Sequence, residues 1–153
     1  MKVFYLTHIR EFSDGAINTK GIGFFKTEDE CREVILSLLD QPGFRDYPND
    51  FVIDEREVIG SEDTTMLSKV YHVTHECECD DEDEDEDEEG YVTFVTDIGV
   101  YATLELAEEA VRIAELDPKF ANAILSDVAT GFCIDECPLG EVGWSEGFVP
   151  WSD

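Results

Sequence analysis

Phe51-Val52-Ile53-Asp54-Glu55 recurs as Phe132-Cys133-Ile134-Asp135-Glu136, and its surroundings recur with it. Lys2-Val3-Phe4-Tyr5-Leu6-Thr7-His8 has its counterpart in Lys69-Val70-Tyr71-His72-Val73-Thr74-His75. Ile22-Gly23-Phe24-Phe25-Lys26-Thr27 corresponds to Ile98-Gly99-Val100-Tyr101-Ala102-Thr103, and Pro42 and Phe44 correspond to Pro118 and Phe120. The order is kept while the offset grows from 67 to 76 to 81. Two tandem copies of one unit are implied, the second lengthened by insertions.

Within the first copy, residues 2–8 alternate and are rich in strand formers. Ser13-Asp14-Gly15 marks a turn, and 17–25 reads as a second strand in which Gly21 and Gly23 mark a bend or bulge. Thr27 is an N-cap, with Glu30 completing a capping box. Cys31, Val34, Ile35, Leu38 and Leu39 form one apolar stripe of a helix over roughly 28–40, stopped by Pro42-Gly43. A third strand follows at 51–59.

The second copy repeats the pattern with strands at 69–77, 91–101 and 132–137 and a helix at 104–116. There Ala107, Ala110, Val111 and Ala114 replace the larger apolar residues, so this helix packs closer to its sheet or against bulkier neighbours.

The fold class is therefore α+β, two β-β-α-β repeats in a pseudo-two-fold arrangement, each with the first strand between the second and third. The first repeat covers 1–60, a connector 61–68, and the second repeat 69–140, with an acidic hairpin insertion at 76–90. An aromatic C-terminal tail covers 141–153. A single copy would be marginal alone, so the two are expected to share a core.

Charge is the outlying property. Acids number 38 against 10 bases, for a net charge of −28. Residues 76–89 hold 12 of those acids and no base, yet the rest of the chain is acidic too. Phosphates would be repelled, which argues against direct contact with nucleic acid or an anionic membrane and for a basic protein or cations as partner. The start of the chain lacks a signal-peptide pattern, and no apolar run is long enough to span a bilayer. Five cysteines without framework spacing fit a reducing compartment. A cytoplasmic monomer or homodimer is expected.

Sites of chemistry are sparse. His72, His75, Cys77 and Cys79 are metal-capable, but C-x-C on a strand is a poor zinc knuckle, and strand alternation turns His72 away from the other three. The pairs Asp54-Glu55 and Asp135-Glu136 point to opposite faces and suit a structural role at a strand end better than acid–base work. No nucleophile elbow, phosphate loop or dinucleotide fingerprint occurs. Accordingly no catalytic residue, resident metal or cofactor is assigned, and the chain is not expected to be an enzyme.

Two stretches remain as partner-binding elements. The first is Asp80, Asp81, Glu82, Asp83, Glu84, Asp85, Glu86, Asp87, Glu88 and Glu89, which lacks the punctuation of a calcium loop. It is either a solvated loop or a polyanion that a basic surface would recognise. The second is the tail, whose Trp144, Phe148 and Trp151 either cap the core or form an exposed aromatic hot spot.

Gln41-Pro42-Gly43-Phe44-Arg45-Asp46-Tyr47-Pro48, followed by Phe51-x-Ile53-Asp54-Glu55, resembles a family of small bacterial proteins classed as a domain of unknown function. Members start with a KVYxLxH-like strand and end in a tail similar to Trp144-Ser145-Glu146-Gly147-Phe148. The resemblance implies the fold and no activity. This chain departs from it in having two copies, in the acidic insertion, and in lacking the GFRDYP segment in its second copy.

The functional expectation is an acidic binding or inhibitor protein, such as an immunity protein neutralising a basic toxin or a nucleic-acid mimic blocking a basic protein. The alternatives are a cation-binding acidic protein, or an enzyme with a non-obvious site.

Overall fold

Strand formers and capped helices alternate along the chain, and the elements follow in the order β1 (Lys2–Glu11), β2 (Ile17–Phe25), α1 (Glu28–Leu38), β3 (Phe51–Ile59), β4 (Lys69–Asp80), β5 (Tyr91–Tyr101), α2 (Leu104–Glu115) and β6 (Gly131–Pro138). The computed structural model describes residues 2–13, 15–61, 66–80, 91–118 and 131–150, with side chains except at 77–80 and 91–94. The fold is α+β. The chain divides into two compact units. One is formed by the described residues of Met1–Val58, Glu62–Val70 and Cys137–Asp153, the other by those of Ile59–Ser61 and Tyr71–Glu136.

In the first unit β1 is central, antiparallel to β2 on one side and to β3 on the other. Leu6 and Ile22, whose sequence counterparts are Val73 and Ile98, lie in its core with Phe25, Cys31, Leu38 and Phe44. Helix α1 starts where Thr27, in extended conformation, accepts a hydrogen bond from the Glu30 N–H through its Oγ1 (3.2 Å). It buries Cys31 and Leu38 and keeps Leu36 on the solvent face. The helix ends at Leu38, slightly short of the expected residue 40, because Pro42 would clash with the carbonyl four residues back.

In the second unit β4 lies between β5 and β6. Thr103 caps α2 as Thr27 caps α1, with φ and ψ of −133° and 153° against −134° and 153°. The small α2 face is matched by bulk across from it. Ala107 is fully buried in a cluster with Val73 and Tyr101, and Tyr71, Leu106 and Ile134 pack around them.

Each hairpin carries one irregularity. The β1–β2 register runs Leu6 opposite Gly23 and then Thr7 opposite Gly21, leaving Ile22 as an extra residue. The β4–β5 register runs Val73 opposite Gly99 and then Thr74 opposite Asp97, leaving Ile98 as the extra residue. A β-bulge at Ile22 and another at Ile98 account for the glycines beside them.

Cys31 shows how tightly the first core is closed. Its side chain is fully buried, and burial first, then the Glu30 and Glu28 carboxylates, push the thiol from the ordinary 9.0 up to about 11. A raised thiol pKa means that the folded state holds the proton more tightly than the unfolded state. The contribution is therefore complete below about pH 9 and is lost as pH rises through about 11, at a rate of at most about 1.4 kcal/mol per pH unit. Subtracting the unfolding free energy of Cys31→Ala from that of the natural chain across this window isolates the effect, which Tyr101 and Cys133 would otherwise obscure. A flat difference would mean that the thiol is not shielded. Alkylation of Cys31 in the folded protein is expected to be slow for the same reason.

Candidate functional site

Residues directly opposite one another on paired strands project from the same face. On the β1–β2 hairpin His8 faces Lys20 and Arg10 faces Asn18, so these four side chains share one side. The bulge decides this. Were Ile22 paired regularly opposite Thr7, Lys20 would stand opposite Ile9 and point to the other face. The bulge also leaves the Ile22 carbonyl to a partner outside the hairpin, and the Gly143 N–H of the tail donates to it at 2.7 Å.

The segment after α1 builds the floor. Gly43 has φ 83°, and its N–H donates to Asp46 Oδ2 at 3.1 Å. That turn drives Phe44 into the core, where its ring meets His8, Phe51 and Phe148 at centroid distances of 5.1, 5.3 and 5.0 Å. His8 is fully buried, and its Nε2 lies 3.0 Å from the Tyr47 carbonyl oxygen. A carbonyl only accepts, so Nε2 carries the proton. The Tyr47 ring in turn lies under the Arg10 guanidinium at 3.8 Å, with Phe12 on the same guanidinium at 4.3 Å.

The tail forms the remaining wall. Gly140 N–H donates to the Phe24 carbonyl at 2.9 Å, and Phe148 N–H donates to the Pro42 carbonyl at 2.9 Å. Between these anchors Trp144 adopts φ 59°, a left-handed conformation that is unfavourable for a bulky residue. Its ring remains 47% exposed and meets Phe148 edge-on at 6.4 Å. Such strain persists where surrounding contacts over-determine it, often at functional positions.

A cleft of about 360 Å³ results, lined by Arg10, Asn18 and Lys20 from the hairpin, the rings of Phe12, Trp144 and Phe148, and Val149. Among the described residues no carboxylate lines it. Lys20 Nζ donates to Asn18 Oδ1 and lies 4.0 Å from the Phe148 centroid and 5.4 Å from that of Trp144. Burial lowers the Lys20 pKa, and the neighbouring Arg10 charge lowers it further. Two of the chain's ten bases thus line one cleft in a molecule of net charge −28. The corresponding register positions of the second unit hold Cys77 and Thr96, opposite Phe94 and His75, and so carry no cation there.

Of the residues expected from the sequence to bind a partner, Trp144 and Phe148 come together here, Phe148 against the first core and Trp144 at the cleft rim. Asp80 ends β4 opposite Tyr91. Asp81, Glu82, Asp83, Glu84, Asp85, Glu86, Asp87, Glu88, Glu89 and Trp151 lie outside the described residues. His75 is buried edge-to-face against Phe132 at 4.7 Å, as His8 is against Phe51 at 5.0 Å. His72 Nε2 donates to Asp97 Oδ2 at 3.0 Å. Among the described residues no three His, Cys, Asp or Glu side chains converge as a metal site. Glu55 receives Lys2 at 2.9 Å on the surface. Arg10 and Lys20 did not stand out in the sequence, where nothing marks two bases on facing strands as neighbours until the bulge register is known.

A second hollow of about 520 Å³ lies in the other unit between β5 and α2, walled by Ile59, Ile98, Leu106 and Ile113, with Asp97 and Glu109 among its polar groups. Among the described residues no helix is long and apolar enough to cross a membrane. Family models, curated proteins and solved structures were each compared with this chain, and none matched.

Proposed function

We propose that the chain is a small acidic binding protein, of the inhibitor, immunity or nucleic-acid-mimic kind, that engages a basic protein surface and catalyses no reaction. The observation that carries this reading is the pairing of β4 with β5 as far as Asp80 opposite Tyr91. The acidic run 81–89 therefore connects two paired strand ends, and the run itself contains no base. A concentration of one charge sign at a hairpin end steers encounter with an oppositely charged partner. Trp144, half-exposed and fixed by its backbone, supplies the kind of ring that anchors interfaces.

The architecture behind this reading is a duplicated β-β-α-β unit in which one copy specialised. The matched bulges at Ile22 and Ile98, the matched threonine caps and the matched His–Phe edge contacts support it. The acidic insertion belongs to the second copy, and the tail docks on the first.

The test begins with affinity capture from the native cell, with elution by salt steps. With the captured basic partner, replacing Asp80–Glu89 by a Ser/Gly linker is expected to slow association by about tenfold or more and to change dissociation little. Trp144→Ala is expected to speed dissociation. Acids outside the tract outnumber bases, so attraction weakens without vanishing. Affinity indifferent both to salt and to the linker replacement would sink the electrostatic reading.

A further inference from the structure

We propose that the cleft between the β1–β2 hairpin and the tail is a binding site for a small aromatic carboxylate, its ring against Trp144 and its carboxylate beside Lys20 and Arg10. This goes beyond the charge-steered partner binding above and stands on different observations.

The first is chemical. Among the described residues Lys20 makes no ion pair with a carboxylate. Its ammonium is held by Asn18 Oδ1 and the Phe148 and Trp144 rings, beside a second cation at Arg10. Lys20 is partly dried by these neighbours, so a carboxylate that enters beside it gains a charge-assisted contact. The lowered Lys20 pKa is the expected companion of that arrangement.

Selectivity follows from the walls. Phe12, Trp144, Phe148 and Val149 are apolar, so an ion such as chloride or acetate would leave them uncovered. The net charge of −28 opposes anions at long range and most strongly opposes multiply charged ones. A ligand that overcomes this needs one negative charge and a flat apolar body for short-range contact. The volume of about 360 Å³ lies at the small end of ligand cavities, which suits one or two fused rings.

Topology shows that the site is built rather than incidental. The extra residue Ile22 rotates Lys20 onto this face, the tail is anchored at both ends of the wall, and Trp144 is held in a left-handed conformation. The second unit keeps the bulge but places Cys77 and Thr96 at the corresponding register positions. The cations belong to the first unit alone, where the tail docks.

The experiment titrates naphthoate, naphthylmethanol and acetate into the full chain carrying Trp151→Phe, which leaves Trp144 as its one tryptophan. Binding is followed by calorimetry and by Trp144 fluorescence. Saturable naphthoate binding with quenching of Trp144 is expected, with naphthylmethanol and acetate weaker by about tenfold or more, as befits loss of a charge-assisted hydrogen bond or of the ring. Lys20→Gln is expected to lower naphthoate affinity by about tenfold and leave naphthylmethanol binding unchanged. Lys20→Arg keeps the charge and is expected to retain most of the affinity. Both variants should unfold near the natural temperature, since loss of the contact to Phe148 is offset by relief of burial and of Arg10 repulsion. Absence of saturable naphthoate binding, equal binding of naphthoate and naphthylmethanol, or a Lys20→Gln variant with undiminished affinity would each overturn the proposal. None of these outcomes bears on the salt dependence of a basic partner, so the two readings fail separately.

Discussion

Phe44→Ala is expected to destabilise the protein by about 3–5 kcal/mol, the range for truncating a buried aromatic ring. The position lies outside any helix or strand, where substitutions are usually tolerated. Its burial reverses that expectation. Phe44 is fully buried, and its ring is shared by His8 from β1, Phe51 from β3 and Phe148 from the tail. Removing the ring opens a void that three separate segments border, and none can close it without leaving its own contacts. The upper part of the range is favoured because the ring also holds the turn that presents the Tyr47 carbonyl to His8. Leu36→Ala serves as the reference, since Leu36 is 68% exposed on α1 and its truncation should stay within about 0.5 kcal/mol. Denaturant unfolding of the two variants measures both. Similar losses in the two would mean that Phe44 does not occupy the centre of this core.

The elements themselves were legible because their signals are local. Thr27 and Glu30 form a capping pattern readable over four residues, and the apolar spacing from Cys31 to Leu38 selects one helix face without reference to the rest of the chain. The glycines around Ile22 announced a bulge for the same reason. What the bulge does to Lys20 was not legible, since one extra residue reverses every side chain beyond it and the register is a property of the pair of strands. The meeting of the tail with the Pro42-Gly43 turn was hidden more deeply. Phe148 and Pro42 are far apart in the chain, and the tail follows β6 while belonging to the first unit. Two stretches quoted separately from the sequence, around Gly43-Phe44 and around Trp144 to Phe148, are the two halves of one contact. No periodicity or capping rule connects them.

That contact gives the second large effect. Gly147→Ala is expected to cost about 2–4 kcal/mol and to disorganise the cleft, whereas Gly140→Ala is expected to cost about 1–2 kcal/mol and leave the cleft intact. Both glycines have left-handed backbones, with φ of 80° and 85°, so both substitutions carry the same conformational penalty. Their surroundings differ. A Cβ at Gly140 would meet nothing within 4 Å. A Cβ at Gly147 would collide with the Pro42 carbonyl oxygen and lie 2.9 Å from the Pro42 nitrogen. These are backbone atoms fixed between α1 and the buried Phe44, so the tail has to move instead. Moving it breaks the hydrogen bond from Phe148 N–H to the Pro42 carbonyl, at 2.9 Å, and takes the Phe148 ring away from Lys20. Comparing the two variants therefore cancels the backbone term and leaves the packing term alone. Thermal unfolding and, with Trp151→Phe added to both variants, the exposure of Trp144 to an aqueous quencher read it together. Stability should fall further in Gly147→Ala, and Trp144 quenching should change in that variant only. Equal effects in both would show that the left-handed turn, and not the approach of the tail to Pro42, is what makes glycine necessary here.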